Sequence, residues 1–230
     1  MAKTKFYIFI FALIGLGIAA CKKDDEPTTI PELHTNYFSV AEGRFVIYDA
    51  IEIFHDDDLG VHDTITYQLK TVIGQTYFDN TGREGREFER YKSNDQGATW
   101  VFSDTWAAFL STTNAELVEE NQRKVKLVFA PTSSKQWDIN AHNSLPAQYA
   151  IYDHIHELTT LGANSFDSTV TVVQSDLISL VDFKKQREVY AKNVGMIQKY
   201  SKDLVIENFD TLNPKSGMEI FYNLVSFGFE

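Results

Sequence analysis

The sequence predicts a mainly β protein, a single antiparallel sheet system of about nine or ten strands, curled into a barrel or half-barrel or folded into a sandwich. Apolar residues recur at every second position, as one face of a pleated strand requires. Clusters of Asn, Asp and Gly interrupt these runs at the spacing of a meander. Helical periodicity is thin, and no repeat of about 20 to 50 residues suggests a solenoid or propeller.

In the first run Phe45, Ile47, Ile51 and Ile53 share one parity against Arg44 and Glu52, with Val46 and Tyr48 fitting less neatly. Ile65, Tyr67 and Leu69 then alternate with Thr64, Thr66, Gln68 and Lys70. Val125, Leu127 and Phe129 alternate with Lys124, Lys126 and Val128, and Val170 and Val172 with Thr169 and Thr171. Towards the end Phe221, Val225, Phe227 and Phe229 share a parity. Each alternation implies one buried and one wetter face, hence antiparallel pairing. Turns are expected at residues 55–60, 79–82, 94–97, 121–122, 162–164 and 213–217. Residues 131–146, with Trp137, Asn140, His142 and Asn143, read as a long loop between two halves of the domain, a length that often marks function. Residues 175–183 allow either a short helix capped by Ser175 or a broad connection.

Ahead of this body, Lys3 and Lys5 precede an apolar run over residues 6–20 that ends in Ile18-Ala19-Ala20-Cys21. The run is shorter than the roughly 20 residues of a membrane span, and with its small final residues it resembles a secretory signal closed by a bacterial lipobox. Residues 1–20 are therefore expected to be a lipoprotein signal peptide and Cys21 the acylated first residue, each buried methylene adding roughly 0.8 kcal/mol of attachment. Cys21 is the single cysteine, which excludes a disulfide framework. Residues 21–36, opening Lys22-Lys23-Asp24-Asp25-Glu26 and followed by Pro27 and Pro31, read as a flexible tether, and residues 37–230 as a single β-rich domain.

The formal charge is −11 from 21 basic and 32 acidic residues. Loss of the signal peptide removes two of the lysines, leaving 19 basic residues against 32 acidic ones. Such a surface repels nucleic acid and anionic headgroups, so attachment to the membrane is expected through the lipid alone. No phosphate loop, serine elbow or cysteine nucleophile appears in the mature chain, and no cofactor is signalled. Catalytic residues are not assignable. Acidic residues such as Glu87, Glu89 and Asp104 leave a carboxylate acid/base pair open, but their abundance alone assigns nothing.

Ser93-Asn94-Asp95-Gln96-Gly97-Ala98-Thr99-Trp100 resembles the Asp-box, S-x-D-x-G-x-T-W, with Ser93, Asp95, Gly97, Thr99 and Trp100 in its specified positions. Its chemistry is structural: a carboxylate bonding turn amides, a glycine at positive φ and an indole packed over the loop. The resemblance implies a stabilised hairpin, not glycosidase activity. His154 and His156, two apart, would share one side of a regular strand and form half of a metal site completed by His55 or His62; half-exposed strand residues are the plainer reading. Asp56, Asp57 and Asp58 read as a solvated acidic turn, since consecutive aspartates do not reproduce a calcium loop. Among the aromatics, Trp106 and Trp137 lie where a ligand cleft would find them, although core packing suits either.

The Lys-then-acidic cluster after Cys21 resembles the signal that takes Bacteroidetes lipoproteins to the outer face of the outer membrane. Segments such as Glu42-Gly43-Arg44-Phe45-Val46-Ile47-Tyr48, Arg86-Glu87-Phe88-Glu89-Arg90-Tyr91 and Tyr190-Ala191-Lys192-Asn193-Val194-Gly195 likewise look like uncharacterised Bacteroidetes lipoproteins. That resemblance implies a lipid-anchored β-rich domain of the outer membrane, surface-exposed or else facing the periplasm, and supplies no catalytic residue. The end of the chain, Phe227-Gly228-Phe229-Glu230, resembles the last strand of outer-membrane barrels, but the anchor, the charge and short strands favour a soluble body. A non-enzymatic binding module for a glycan, lipid or protein is the expected function, and a carboxylate-dependent hydrolase of polysaccharide or envelope material is its alternative.

Overall fold

The computed structural model describes residues 32–230; Cys21, the lipobox and the tether as far as residue 31 lie outside the described residues. The compact unit Leu33–Glu230 opens with a 3-10 turn, Thr35–Tyr37, and continues as a single antiparallel sheet. Its strands are β1 (Arg44–Asp56), β2 (Val61–Phe78), β3 (Glu84–Ser93), β4 (Val101–Leu110), β5 (Asn114–Glu119) and β6 (Gln122–Val128). The second half contributes β7 (Gln136–Asp138), β8 (Tyr149–Leu161), β9 (Asn164–Ile178), β10 (Asp182–Ala191), β11 (Gly195–Val205) and β12 (Ser216–Phe229).

The order β6-β5-β4-β3-β2-β1-β12-β11-β10-β9-β8-β7 is an up-and-down meander in which the first and last strands pair. The break in the ladder therefore falls in the middle of the chain, between β6 and β7. Residues 131–146, expected to be loop, supply β7 and close that break: the Val125 amide donates to Ile139 O at 2.9 Å, and Trp137 Nε1 donates to Val125 O at 3.0 Å. Tyr152 on β8 reaches across as well, its hydroxyl bonding both the amide and the carbonyl of Val128. The sheet thus curls into a nearly closed barrel, which leaves little unpaired edge.

Twelve strands stand where nine or ten were expected, because several turns lack the usual Gly or Asn signal. At two of them a serine hydroxyl does the work: Ser111 Oγ accepts the amides of Thr113 and Asn114, and Ser179 Oγ those of Val181 and Asp182. Ser179 also overturns the short helix, since β9 runs on to Ile178 and β10 starts at Asp182. The strands are not short either. β2 has 18 residues, but its exposed outward side chains include His62, Thr64 and Thr66, unlike a lipid-facing wall.

Face assignments are reversed in two strands. Val46, Tyr48 and Ala50 are buried rather than Phe45, Ile47 and Ile51, and Tyr222 and Leu224 rather than Phe221 and Val225, while beyond the register shift Phe227 and Phe229 pair with Val46 and Arg44 and share their face. Tyrosines suit this interior because inward polar groups bond their hydroxyls: Tyr48 donates to Met196 O at 2.7 Å and Tyr190 to Glu188 at 2.6 Å. The outward phenylalanines are covered by neighbours instead, with Lys70 Nζ 5.4 Å from the centre of the Phe45 ring and Tyr200 edge-on to Phe221. Lys126, expected on the wetter face, is 7% exposed. The register shift where Ala115 and Glu116 face β6 leaves Lys126 as an unpaired bulge residue, so Val125, Lys126 and Leu127 are all buried.

Candidate functional site

The barrel holds two apolar clusters. One gathers Leu117, Val125, Leu127, Trp137, Tyr152 and Val172, the other Val46, Tyr48, Leu69, Val189, Ile197 and Tyr222. Between them lies a cavity of about 80 Å³, walled by apolar side chains such as Val46, Leu69, Phe88, Trp106 and Leu117 and by a set of inward charges.

The strand ends and bulges aim those charges inward. Lys126 donates to Glu188 at 2.7 Å and to Glu119 at 3.0 Å, and Lys124 adds a 3.1 Å contact to Glu119. Burial pushes both carboxyls up, but the ammonium of Lys126, seconded by Lys199, outweighs it and holds Glu119 and Glu188 below the usual glutamate range. Burial acts against the charge of Lys126 too, and the two glutamates reverse that, keeping it protonated. Beside Glu188, the Tyr190 hydroxyl is raised by burial and by that carboxylate.

Among the described residues four cations line the cavity: Arg44, Arg90, Lys126 and Lys199. Lys126 is committed to the glutamates, and Arg90 to Asp104 at 3.0 Å while it lies over the Trp106 ring at 3.9 Å. Lys199 is different. Among the described residues its ammonium has no hydrogen bond or close ion pair, only the Tyr222 ring at 5.7 Å. It is half-buried, and burial lowers its pKa although Glu188 and Glu119 pull the other way. Arg44 Nε is buried and has no hydrogen-bond partner among the described residues.

The residues singled out from the sequence do not form one site. Trp106 lines the cavity and also an outer groove, donating from Nε1 to Glu120 at 3.2 Å. Trp137 is enclosed at the seam, 4.7 Å from the ring of Tyr152. His154 and His156 sit at positive φ on a bulge of β8, so the period-two argument that put them on one side does not apply. His154 bonds Glu157 at 3.0 Å, and His156 bonds the Tyr37 hydroxyl at 2.6 Å. Among the described residues no group of three or more His, Cys, Asp or Glu is placed to hold a metal ion.

In the hairpin after β3, Asp95 Oδ1 accepts the Ser93 hydroxyl at 2.7 Å and the Thr99 amide at 2.8 Å. The Ser93 hydrogen bond, with that of Thr99, holds the Asp95 carboxyl below its ordinary range. Gly97 has φ +85° and faces the Trp100 ring; a Cβ there would stand 3.0 Å from Gln68 Oε1.

The outer groove, about 470 Å³, is lined by Glu87, Asp104, Trp106 and Glu120 among others. Glu87 and Glu89 also converge over Gly74, where a Cβ would lie 3.2 and 3.3 Å from their carboxylate oxygens. Asp104 is engaged by Arg90 and Ser103, and Glu89 by the Tyr91 hydroxyl at 2.5 Å.

Sequence reasoning missed Glu119, Lys126, Glu188 and Lys199. The one local signal was a charge set inside an apolar run, as in Val125-Lys126-Leu127 and Glu188-Val189-Tyr190.

No protein-family model matches the chain, and no curated protein does. Two solved structures are similar in part. One, from Parabacteroides distasonis and described as a lipoprotein, is 12% identical with a TM-score of 0.42, over 84% of this chain and 98% of that one. The other, from Bacteroides fragilis and described as an exported protein with a YmcC-like fold, is 11% identical with a TM-score of 0.39, over 82% of this chain and 98% of that one.

Proposed function

We propose that this protein is a lipid-anchored binding module of the cell envelope, held at the outer membrane through Cys21 and displayed at the cell surface, that takes a small ligand into the barrel. The internal cavity carries this reading: an apolar wall with an unbonded ammonium is the mixture of burial and few oriented polar groups that ligand sites share. A tether with charge and proline ahead of the barrel suits a module that works at a distance from its membrane. The test is a cavity-filling substitution, Val46→Phe, in the full chain. Small amphipathic molecules should shift the NMR spectrum of the unaltered protein and leave that of the folded variant unmoved; equal shifts in both would place binding elsewhere.

The outer groove favours a second reading, hydrolysis of a polysaccharide, because it sets Glu87 and Asp104 beside Trp106. Release of reducing ends that is lost in both Glu87→Gln and Asp104→Asn would support it. Unchanged release in both variants would remove it.

A further inference from the structure

Resting on the reading of the cavity as a binding site, we infer that its ligand is a small alkyl carboxylate, the head group on Lys199 Nζ and the carbon chain against Val46, Leu69, Phe88 and Trp106. Charge, size and wall chemistry each narrow the choice.

The cavity-lining cations divide into those already neutralised and those not. Lys126 lies between Glu119 and Glu188, and Arg90 is spent on Asp104. Lys199 keeps its donors unbonded although it faces the same space. Removing an ammonium from water costs several kcal/mol unless an anion or acceptors replace the hydration. Here Glu119 and Glu188 supply attraction through space but no hydrogen bond, and burial still prevails over them at Lys199. An anion on Nζ would complete the set.

Among the described residues of the cavity wall Lys199 offers one unbonded ammonium, which answers one negative charge. A dianion such as phosphate would bring its second charge beside Glu119 and Glu188, where repulsion opposes it. Arg44 does not supply the second partner at that position: Lys199 pairs with Tyr222 and Tyr222 with Ala50, whereas Arg44 stands at the far start of β1. The remaining wall is largely alkyl and aromatic, which favours a carbon chain over an inorganic ion. A volume of about 80 Å³ is roughly half that of the apolar cavity that holds benzene, so a ligand without repacking has no more than about six heavy atoms.

Butanoate and butan-1-ol share a chain and differ in charge, so together they separate the head-group inference from the cavity reading. Each is titrated into the full chain at pH 7 and followed by NMR, with Lys199→Met, Lys199→Arg and Val46→Phe in parallel. Butanoate should bind at least tenfold more tightly than butan-1-ol and move the Lys199 13Cε resonance of the unaltered protein. Lys199→Met should abolish that preference and Lys199→Arg retain it. Should Lys199→Met fail to fold, the 13Cε shift in the unaltered protein decides. Equal binding of acid and alcohol, both blocked by Val46→Phe, would overturn the carboxylate while leaving the cavity reading intact. If neither bound to the folded protein, both would fall.

Discussion

Lys126 Nζ lies 2.7 Å from Glu188 Oε1, inside the barrel and 62 residues apart in the chain, with the side chains 7% and 2% exposed. The pair joins β6 to β10, strands that are not neighbours in the sheet, so it ties separate parts of the barrel wall together. Such a pair contributes little over an apolar replacement, but losing one member strands the other charge.

Lys126→Met should therefore destabilise the fold by about 3–5 kcal/mol, measured by urea unfolding, because Glu119 and Glu188 lose their shared partner. A loss below about 1 kcal/mol would mean that water or Lys199 already compensates the carboxylates.

Acid should weaken the protein through the same two groups. The folded carboxyls of Glu119 and Glu188 lie below the unfolded value of about 4.3, so the folded state holds them ionised more strongly than the unfolded chain does. Their contribution is present above that value and is lost as pH falls through the folded pKa values. Urea midpoints should decline below about pH 4, and Glu119→Gln with Glu188→Gln should flatten that part of the curve.

Alkali should act through the tyrosines. Burial first, and the carboxylate of Glu188, raise Tyr190, and burial likewise raises Tyr48, so ionisation of the unfolded chain above about pH 10 draws the equilibrium towards unfolding. Absorbance at about 295 nm should show the buried tyrosines ionising together with loss of structure, whereas Tyr91, raised to about 12 by its bond to Glu89, titrates without it.

Trp137→Ala should open the seam. It removes the indole's hydrogen bond to Val125 O and its packing on Tyr152, at a cost of about 3–5 kcal/mol. Hydrogen exchange at the Val125 amide, bonded across the seam to Ile139, should accelerate before exchange in β1 and β12. Uniform acceleration would show that the seam has no stability of its own.

Cys21→Ser should release the body from the membrane and abolish acylation, as read by labelling with a fatty-acid analogue. Protease added to intact cells should remove the barrel if it is displayed outward; its survival until the outer membrane is breached would sink the surface assignment.

What could be read from the sequence were properties of short segments. Alternation of apolar residues produced strands, Asn and Gly placed most turns, and Ser93, Asp95 and Gly97 define a hairpin within a few residues. The serine turns at Ser111 and Ser179 escaped because serine is common and its hydroxyl acts only once the backbone reverses. Which face of β1 turns inward, that β1 meets β12, that Trp137 closes a seam and that Lys199 stands opposite Glu188 on the neighbouring strand and shares a cavity with Glu119 were decided by the tertiary structure. An alternating strand offers two faces, and barrel closure selects between them. Here it admits the tyrosines whose hydroxyls find partners, leaves phenylalanines outside under cations and neighbouring rings, and brings together charges whose distances no spacing along the chain encodes.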